Sequence, residues 1–286
     1  MNSLAGSVTL LTHGEPAVAG QVLAETLEVL AERGVEVVVS PEEWAKHGKT
    51  LGGLDAVRVV EGPEGLDGVE LCLVLGGDGT MLRAFHLTRG LGIPVAGVNL
   101  GRVGFLTTVP KERLRDGLVS LLERRYRQYR LLGLRAHLGP SEYRAANDVV
   151  VSKGDGSHAC PLALIINGVT LFEVLCDGVV VATPAGSSAY SLAAGGPLLG
   201  ISVDAYVISL VAPHAVGVRP VVAAPGDVLE IMNLSTSRDC YVDVDGQRSG
   251  VMSPGAVIRI QTEPAETILA LLEGDSLYHH FRDRLL

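Results

Sequence analysis

The chain has 286 residues, 47% of them hydrophobic and 19% charged, which is typical of a folded globular protein rather than a disordered one. The formal net charge of −9 and the aromatic content of 4% argue against a nucleic-acid binder, which needs a basic face or stacking side chains. No apolar run approaches the roughly 20 residues of a membrane span, and residues 1–12 lack the basic start of a signal peptide. The four cysteines show no metal-ligand spacing, so we expect a reducing, cytoplasmic location without membrane contact.

The first part of the chain alternates between strand-like and helix-like segments. The apolar run 69–75 reads as a strand buried on both faces, and the helix 16–33 has its apolar residues on one face. Such alternation predicts a doubly wound, parallel α/β sheet. The predicted strands are 7–11, 35–40, 69–75 and 93–98, and the predicted helices are 16–33 and 81–89.

The pattern changes after residue 110. One further amphipathic helix, 111–125, is followed by many short strand-like runs separated by turn residues, which predicts a β-rich, sandwich-like second domain. The predicted strands are 130–138, 144–152, 162–166, 172–181, 206–211, 227–232, 239–244 and 256–261, with one helix at 187–194. We therefore expect an α/β domain at 1–112, a β-rich domain at 113–265, and a strand with a charged tail at 266–286 that packs back on the first domain.

The sharpest local feature is the run Leu75-Gly-Gly-Asp-Gly-Thr80, which follows a buried strand and opens a helix. Backbone amides at a helix start, with three glycines around them, form a site for phosphate. A carboxylate in such a loop would repel phosphate, so its presence needs a chemical reason. Asp78 is a candidate proton acceptor for an attacking hydroxyl, or a group that helps to hold a metal ion beside the phosphates. The alternative is that Asp78 only caps the helix. Arg83, one helical turn later, can reach a phosphate or form a surface salt bridge.

Gly76-Gly-Asp-Gly-Thr80 resembles the loop shared by NAD kinases, diacylglycerol and sphingosine kinases, and phosphofructokinases. Further motifs, in the same order along the chain, resemble those of the NAD kinase family. They are Asn99-Leu-Gly-Arg-Val-Gly-Phe-Leu-Thr107, Asn147-Asp148, Asp177-Gly178, Thr183-Pro-Ala-Gly-Ser-Ser-Ala-Tyr190, Gly195-Gly-Pro197, Ala212-Pro-His214 with Arg219-Pro220, and Asp245-Gly-Gln247.

This resemblance implies an active site in a cleft between the two domains. It implies that Asp78 is the general base for the adenosine ribose 2′-hydroxyl of NAD. Donor phosphates would contact Gly76, Gly77, Gly79, Thr80 and Arg83. The dinucleotide would contact Gly79, Asn147, Asp148, His158, Leu175, Asp177, Ser188, Ala189, Tyr190, Ser191, Leu192, Ala193 and Gln247. No protein ligand for a metal is predicted; Mg²⁺ is expected on the phosphates of the donor, which is ATP or polyphosphate.

Several positions depart from the family pattern. Asp148 stands where glutamate is usual, and Leu175 stands where many relatives carry a basic or polar residue. Ala185 and Ser188 replace threonines, and Ala193 replaces a common serine. We expect these departures to change affinity or the preference for NAD over NADH rather than to abolish activity.

Other functions and other readings stay open at this point. A lipid kinase with the same loop and a nucleotide sensor without turnover are the alternative functions. The resemblance implies a dimer or a tetramer. Two neighbouring histidines, His279 and His280, are expected to be solvated near the terminus rather than to bind a metal, and His158 can be an ordinary loop histidine. We expect the basic run of Arg124, Arg125, Arg127 and Arg130 to be part of the charged surface. A subunit interface and a contact with the donor phosphates are the alternatives.

Overall fold

The computed structural model describes residues 5–100, 104–107, 109–154 and 158–285. The chain divides into two compact units, one formed by Met1–Arg130 with Glu266–Leu286 and the other by Leu131–Ala265. The first unit therefore continues past residue 112, where the sequence pattern suggested a boundary. The reason is that the helix after residue 112 packs against the first helix of the chain.

The first unit alternates strands and helices. In chain order the elements are β1 (Ser7–Thr12), α1 (Pro16–Glu32), β2 (Glu36–Val39), α2 (Pro41–Leu51), β3 (Val57–Val59), β4 (Leu71–Gly76), α3 (Asp78–Thr88), β5 (Pro94–Asn99), β6 (Val109–Pro110) and α4 (Leu114–Leu122). Helix α2 begins at Pro41 after the cap residue Ser40, whose side chain accepts a hydrogen bond from the Glu43 amide.

Five parallel strands of this unit follow the order β3-β2-β1-β4-β5. The chain thus reverses its direction of travel across the sheet between β1 and β4. In an open α/β sheet, ligands bind beside the carboxyl ends of the strands at such a switch point. Strands β1 and β4 are buried along their whole length, which explains their nearly continuous apolar sequences.

The second unit is built mainly of antiparallel strands. Its elements are β7 (Tyr126–Leu138), whose first part up to Arg130 belongs to the first unit, β8 (Ser141–Ala145), β9 (Asp148–Lys153), β10 (Cys160–Ile166), β11 (Val169–Cys176), β12 (Gly178–Ala182), α5 (Tyr190–Ala193), β13 (Tyr206–Val211), β14 (Val221–Ala223), β15 (Leu229–Asn233), β16 (Cys240–Val244) and β17 (Gln247–Met252). The long strand β18 (Val257–Leu272) begins in this unit, and its last part, from Glu266, belongs to the first unit. Helix α6 (Leu277–Leu285) also belongs to the first unit.

Two layers of strands share one core in the second unit. One layer has the order β14-β13-β12-β9-β16-β17, and the other contains β11-β10-β15 and the start of β18. Val149, Val151 and Val179 of the first layer pack in the same cluster as Leu162 and Ile231 of the second. The prediction of an α/β domain with a β-rich, sandwich-like partner is therefore confirmed.

Several predicted elements differ from those observed. The run 144–152 is two strands separated by Ala146 and Asn147, and the run 172–181 is two strands separated by Asp177. Residues 187–194 form a short 3-10 turn and the four-residue α5 instead of one helix. Helix α3 begins at Asp78 rather than Met81, and helices α2 and α6 were not anticipated. Within the described ranges, none of the helices combines the length and the apolar composition that a bilayer crossing requires.

Candidate active site

The glycine-rich run Gly76-Gly-Asp-Gly-Thr80 connects β4 to α3 in the first unit. Asp78 is the first residue of α3, and the amides of Thr80 and Met81 donate to the carbonyl of Gly77. A Cβ at Gly76 would lie 2.4 Å from the Thr80 hydroxyl oxygen and 2.7 Å from its Cβ. The absence of a side chain at residue 76 therefore lets the first turn of the helix close directly over the end of the strand.

The Asp78 carboxylate is held by two backbone amides of a second loop. Its Oδ2 accepts from the Phe105 amide at 3.0 Å, and its Oδ1 accepts from the Leu106 amide at 3.0 Å. A Cβ at Gly104 would lie 2.6 Å from Asp78 Oδ1, so the loop approaches the carboxylate closely because residue 104 is glycine. The Asn99–Thr107 motif thus supports Asp78 through its last part; residues 101–103 of that motif lie outside the described residues.

A cavity of about 550 Å³ lies at the carboxyl ends of β1, β4 and β5. Gly76, Gly77, Gly79 and Thr80 line it, and so does Arg83. The structure therefore brings these predicted donor-phosphate residues together at the switch point of the sheet. The remaining lining residues are His13, Gly14, Glu15, Val18, Asn99 and Leu100.

Arg83 also has protein partners. Its guanidinium donates to the Thr12 carbonyl at 3.3 Å and to Glu42 at 3.2 Å. In this structure Arg83 therefore forms the salt bridge that is one of its two predicted roles. It also lines the cavity, and its contact with a phosphate stays a prediction. The neighbouring Glu43 is 2% exposed and accepts from the Thr12 hydroxyl at 2.6 Å.

The second unit contains a bend at Ala146 and Asn147 between β8 and β9, and Asp245 organises this bend together with Asp148, the first residue of β9. The Asp245 carboxylate accepts hydrogen bonds from three consecutive amides, those of Ala146 at 2.8 Å, Asn147 at 2.7 Å and Asp148 at 3.0 Å. Asp245 has φ of 46° and Gly246 φ of 78°, a left-handed pair that closes the hairpin between β16 and β17. Sequence reasoning noted this Asp-Gly pair as a motif but did not assign Asp245 a place in the site.

The side chains of Asn147 and Asp148 are buried. Asp148 is 6% exposed, and burial together with the Asp245 carboxylate raises its pKa to about 7. Asn147 is 8% exposed, and its side-chain oxygen lacks a hydrogen-bond partner in the described part of the chain. Because an unpaired buried acceptor costs free energy, this oxygen is suited to a donor group of a ligand.

The glycine- and serine-rich segment packs directly on this bend. The Thr183 amide donates to the Asn147 carbonyl at 2.8 Å, and the Thr183 hydroxyl donates to the Ala146 carbonyl at 2.7 Å. A Cβ at Gly186 would lie 2.1 Å from the Asn147 carbonyl oxygen. Of the predicted residues that follow, Ala189, Tyr190 and Ala193 are exposed, Ser188 and Leu192 are partly exposed, and Ser191 is buried.

The remaining predicted residues occupy separate surroundings. Asp177 lies between β11 and β12 and pairs with Lys153 at 3.0 Å, and Leu175 is 42% exposed. Gln247 is exposed beside the Asp245 turn. His158 is exposed and borders another cavity, of about 310 Å³, whose described lining includes Cys160, Arg238 and Tyr241 but not Asn147 or Asp148.

Comparison with known proteins identifies the family. The model of the ATP-NAD kinase N-terminal domain matches residues 8–126, and that of the ATP-NAD kinase C-terminal domain matches residues 146–271. An NAD kinase of Thermobifida fusca (strain YX) is 35% identical over 278 residues, which cover 93% of this chain and 85% of the relative. An NAD kinase of Moorella thermoacetica (strain ATCC 39073 / JCM 9320) is 32% identical, with 91% of this chain and 83% of the relative covered.

Solved structures share the fold. A yeast NADH kinase complexed with NADH superimposes with a TM-score of 0.87 at 21% identity, covering 99% of this chain and 88% of the other. An NAD kinase from Archaeoglobus fulgidus in complex with ATP gives a TM-score of 0.70 at 23% identity, with 98% and 97% covered. The two domain matches and the identity to relatives along most of their length agree with the order of motifs in the sequence. This chain belongs to the NAD kinase family.

Proposed function

We propose that this protein transfers the terminal phosphate of ATP to the 2′-hydroxyl of the adenosine ribose of NAD, which produces NADP. The observation that carries the proposal is the Asp78 carboxylate, held by the Phe105 and Leu106 amides directly after the Gly76-Gly77 phosphate loop. A carboxylate has about four acceptor positions. The two amides hold its orientation, and a carboxylate at this position is a group that can accept the proton of the attacking hydroxyl.

The proposed dinucleotide contacts lie in the second unit. The unpartnered Asn147 oxygen can accept from the amino group of adenine, and the buried Asp148 carboxylate can accept from ribose hydroxyls. Asp148 is well placed to respond to a ligand, because its pKa of about 7 leaves it partly protonated near neutral pH. Contacts from His158, Leu175, Asp177, Gln247 and residues 188–193 remain predictions that rest on the family pattern.

The donor is proposed to be ATP bound with Mg²⁺. Mg²⁺ is usually held by one or two carboxylates, several waters and substrate phosphates rather than by a protein cage. Among the residues that the structure describes, no group of three or more His, Cys, Asp or Glu side chains is arranged to hold a metal ion. A metal ion that arrives bound to the nucleotide would neutralise phosphate charge during transfer. Polyphosphate is the alternative donor.

Location and assembly are also proposals. The four cysteines are free and buried, which supports a reducing compartment such as the cytoplasm. Self-association into a dimer or a tetramer is proposed from the family resemblance, and sedimentation of the purified chain would test it.

The decisive experiment measures NADP formation from NAD and Mg²⁺-ATP through a dehydrogenase specific for NADP. We expect the wild type to be active and Asp78→Asn to lose about 10²-fold or more of kcat. NAD affinity, measured by calorimetry, should change little in that variant. Asp55→Asn, which alters an exposed carboxylate of the same unit, serves as the control and should keep full activity. Thermal unfolding should be compared because asparagine offers one acceptor oxygen where aspartate offers two.

Each other outcome has a clear meaning. A near-normal kcat in Asp78→Asn would falsify the base role. Activity with polyphosphate or NADH alone would change the substrate but keep the reaction class. Phosphorylation of diacylglycerol in vesicles without NADP formation would favour the lipid-kinase alternative, which the NAD kinase relatives do not support. Binding of NAD without any turnover would favour the sensor alternative.

A further inference from the structure

One peptide group connects Asp78 to the C-terminal helix α6. The peptide between Phe105 and Leu106 donates its N–H to Asp78 Oδ1 at 3.0 Å. The carbonyl of the same peptide lies 3.4 Å from His280 Nδ1. Because a carbonyl oxygen only accepts, Nδ1 carries the proton in this contact. Asp78 and His280 therefore contact the two ends of a single peptide dipole.

His280 is itself held by an acidic neighbour. Its Nε2 lies 3.6 Å from Asp275 Oδ2, and the side chains of His280 and Asp275 are 13% and 22% exposed. Burial acts to raise the pKa of Asp275, but the hydrogen bonds from His280 and from the Ser276 amide outweigh it and lower that pKa. Asp275 therefore stays ionised, and its pairing with Nε2 together with the Nδ1 contact requires an imidazole that is protonated on both nitrogens. The expectation that both C-terminal histidines are merely solvated is wrong for His280.

Aromatic packing adds a second attachment between α6 and the same loop. The Phe281 ring meets the Phe105 ring edge to face, with centroids 5.6 Å apart at 65°. Tyr278 packs on Phe281 in the same manner at 5.8 Å. Phe105 and Leu106 are 5% and 3% exposed. The loop that holds Asp78 is thus fixed both through its backbone and through a buried ring.

We propose that His280 is a positioning residue for the kinase reaction: its contact with the Phe105 carbonyl aligns the Phe105–Leu106 peptide, and this peptide aligns the Asp78 carboxylate. The inference rests on the proposed function, since it assigns a role toward the proposed base. His280 does not touch the reacting atoms. It acts through the peptide, whose N–H and C=O polarise each other when both are hydrogen-bonded.

The energetic reason lies in the geometry that proton transfer demands. A general base must lie within hydrogen-bond reach of the proton it accepts, and a displacement of about 1 Å can cost about 10²-fold in rate. Two amide contacts fix the carboxylate only as firmly as their own loop is fixed. Loss of the His280 contact should therefore reduce kcat without changing how tightly either substrate binds.

The test compares three variants of the full chain in the NADP-forming assay. His280→Ala removes the donor to the Phe105 carbonyl. His280→Asn restores a donor, because the side-chain nitrogen of asparagine lies near the position of Nδ1. His279→Ala changes the exposed neighbour on the same helix and is the control. We expect kcat to fall about tenfold in His280→Ala and to recover to about half the wild-type value or more in His280→Asn. In His279→Ala, kcat should stay unchanged. The KM for NAD and the KM for ATP should be the same in all three variants as in the wild type.

A second readout does not depend on activity. Hydrogen exchange of the Leu106 amide should become faster in His280→Ala than in His280→Asn or His279→Ala. A kcat in His280→Ala equal to that of His279→Ala would overturn the proposal, and so would a change confined to KM or an asparagine variant as slow as the alanine variant. If the wild type forms no NADP, the proposed function fails, while unchanged Leu106 exchange in His280→Ala separately overturns the His280 contact.

Discussion

Asp245 and Asp148 exchange two hydrogen bonds through their backbones and one side chain. The Asp245 amide donates to the Asp148 carbonyl at 3.0 Å, and the Asp148 amide donates to the Asp245 carboxylate at 3.0 Å. This pairing joins the β16–β17 hairpin turn to the start of β9. It also brings two carboxyl groups together in a buried region, which is one reason for the raised pKa of Asp148.

Replacement of Asp245 should weaken both stability and substrate binding. Asp245→Asn places an amide group opposite the Ala146 N–H, where a carboxylate oxygen now accepts at 2.8 Å. We expect a loss of about 1–3 kcal/mol in the free energy of unfolding and a raised KM for NAD. Denaturant unfolding and steady-state kinetics measure the two effects. Asp243→Asn on the same hairpin removes only a partly exposed ion pair with Arg248 and should cost less than about 1 kcal/mol; equal losses would contradict the organising role of Asp245.

Asp148 should make stability depend on pH. Its pKa is about 7 in the folded protein against an ordinary value of 3.8, so the folded state binds a proton that the unfolded state releases between these values. The resulting stabilisation is full below the ordinary value and is lost as pH rises through the folded value. Between about pH 4 and about pH 7, the free energy of unfolding should therefore fall more steeply in the wild type than in Asp148→Asn. Parallel urea-unfolding curves for the two proteins would show that Asp148 does not titrate in this range.

Removal of the Asp148 carboxylate should also weaken dinucleotide binding. Hydrogen bonds to a charged group contribute about 1.5–3 kcal/mol, so in an assay at about pH 8, where the Asp148 carboxyl is mostly ionised, Asp148→Ala should raise the KM for NAD by about 10- to 100-fold. The KM for ATP, measured in the same assay, is the internal control and should not change. An unchanged KM for NAD would remove Asp148 from the proposed ribose contact.

Gly76 and Gly77 should tolerate a methyl group differently. A Cβ at residue 76 meets Thr80 at 2.4 Å, whereas a Cβ at residue 77 meets nothing within 4 Å, and φ of Gly77 is −113°. Gly76→Ala should therefore cost about 1–3 kcal/mol of unfolding free energy through overpacking, and Gly77→Ala should cost distinctly less. Denaturant unfolding of the two variants measures the loss of unfolding free energy in each. Equal losses would mean that the first turn of α3 can shift to make room for a methyl group at residue 76.

Much of the architecture follows from local patterns. Buried parallel strands have continuous apolar sequences, so β1, β4 and β5 could be predicted with their ends shifted by a residue or two. The run 172–181 is mostly apolar on both sides of Asp177 and is therefore predicted as one strand. It is broken because β11 pairs with β10 while β12 pairs with β13 and β9 in the other layer. The pairing partner, and not the propensity, ends the strand at Asp177.

The sequence by itself determined the family, the glycine-rich run around Asp78 as the candidate phosphate site, and the two kinds of domain, because those depend on residue types at short, fixed spacings. Only the tertiary structure decided what supports the site. The Asp245 carboxylate accepts from the Asn147 amide, which lies 98 positions away in the sequence. His280 lies 175 positions from the Phe105 carbonyl that it contacts. Hydrogen bonds between residues so far apart in the sequence depend on how strands and loops fold back on each other. They therefore produce no periodic pattern in the sequence, and nothing near Asp245 or His280 indicates these contacts.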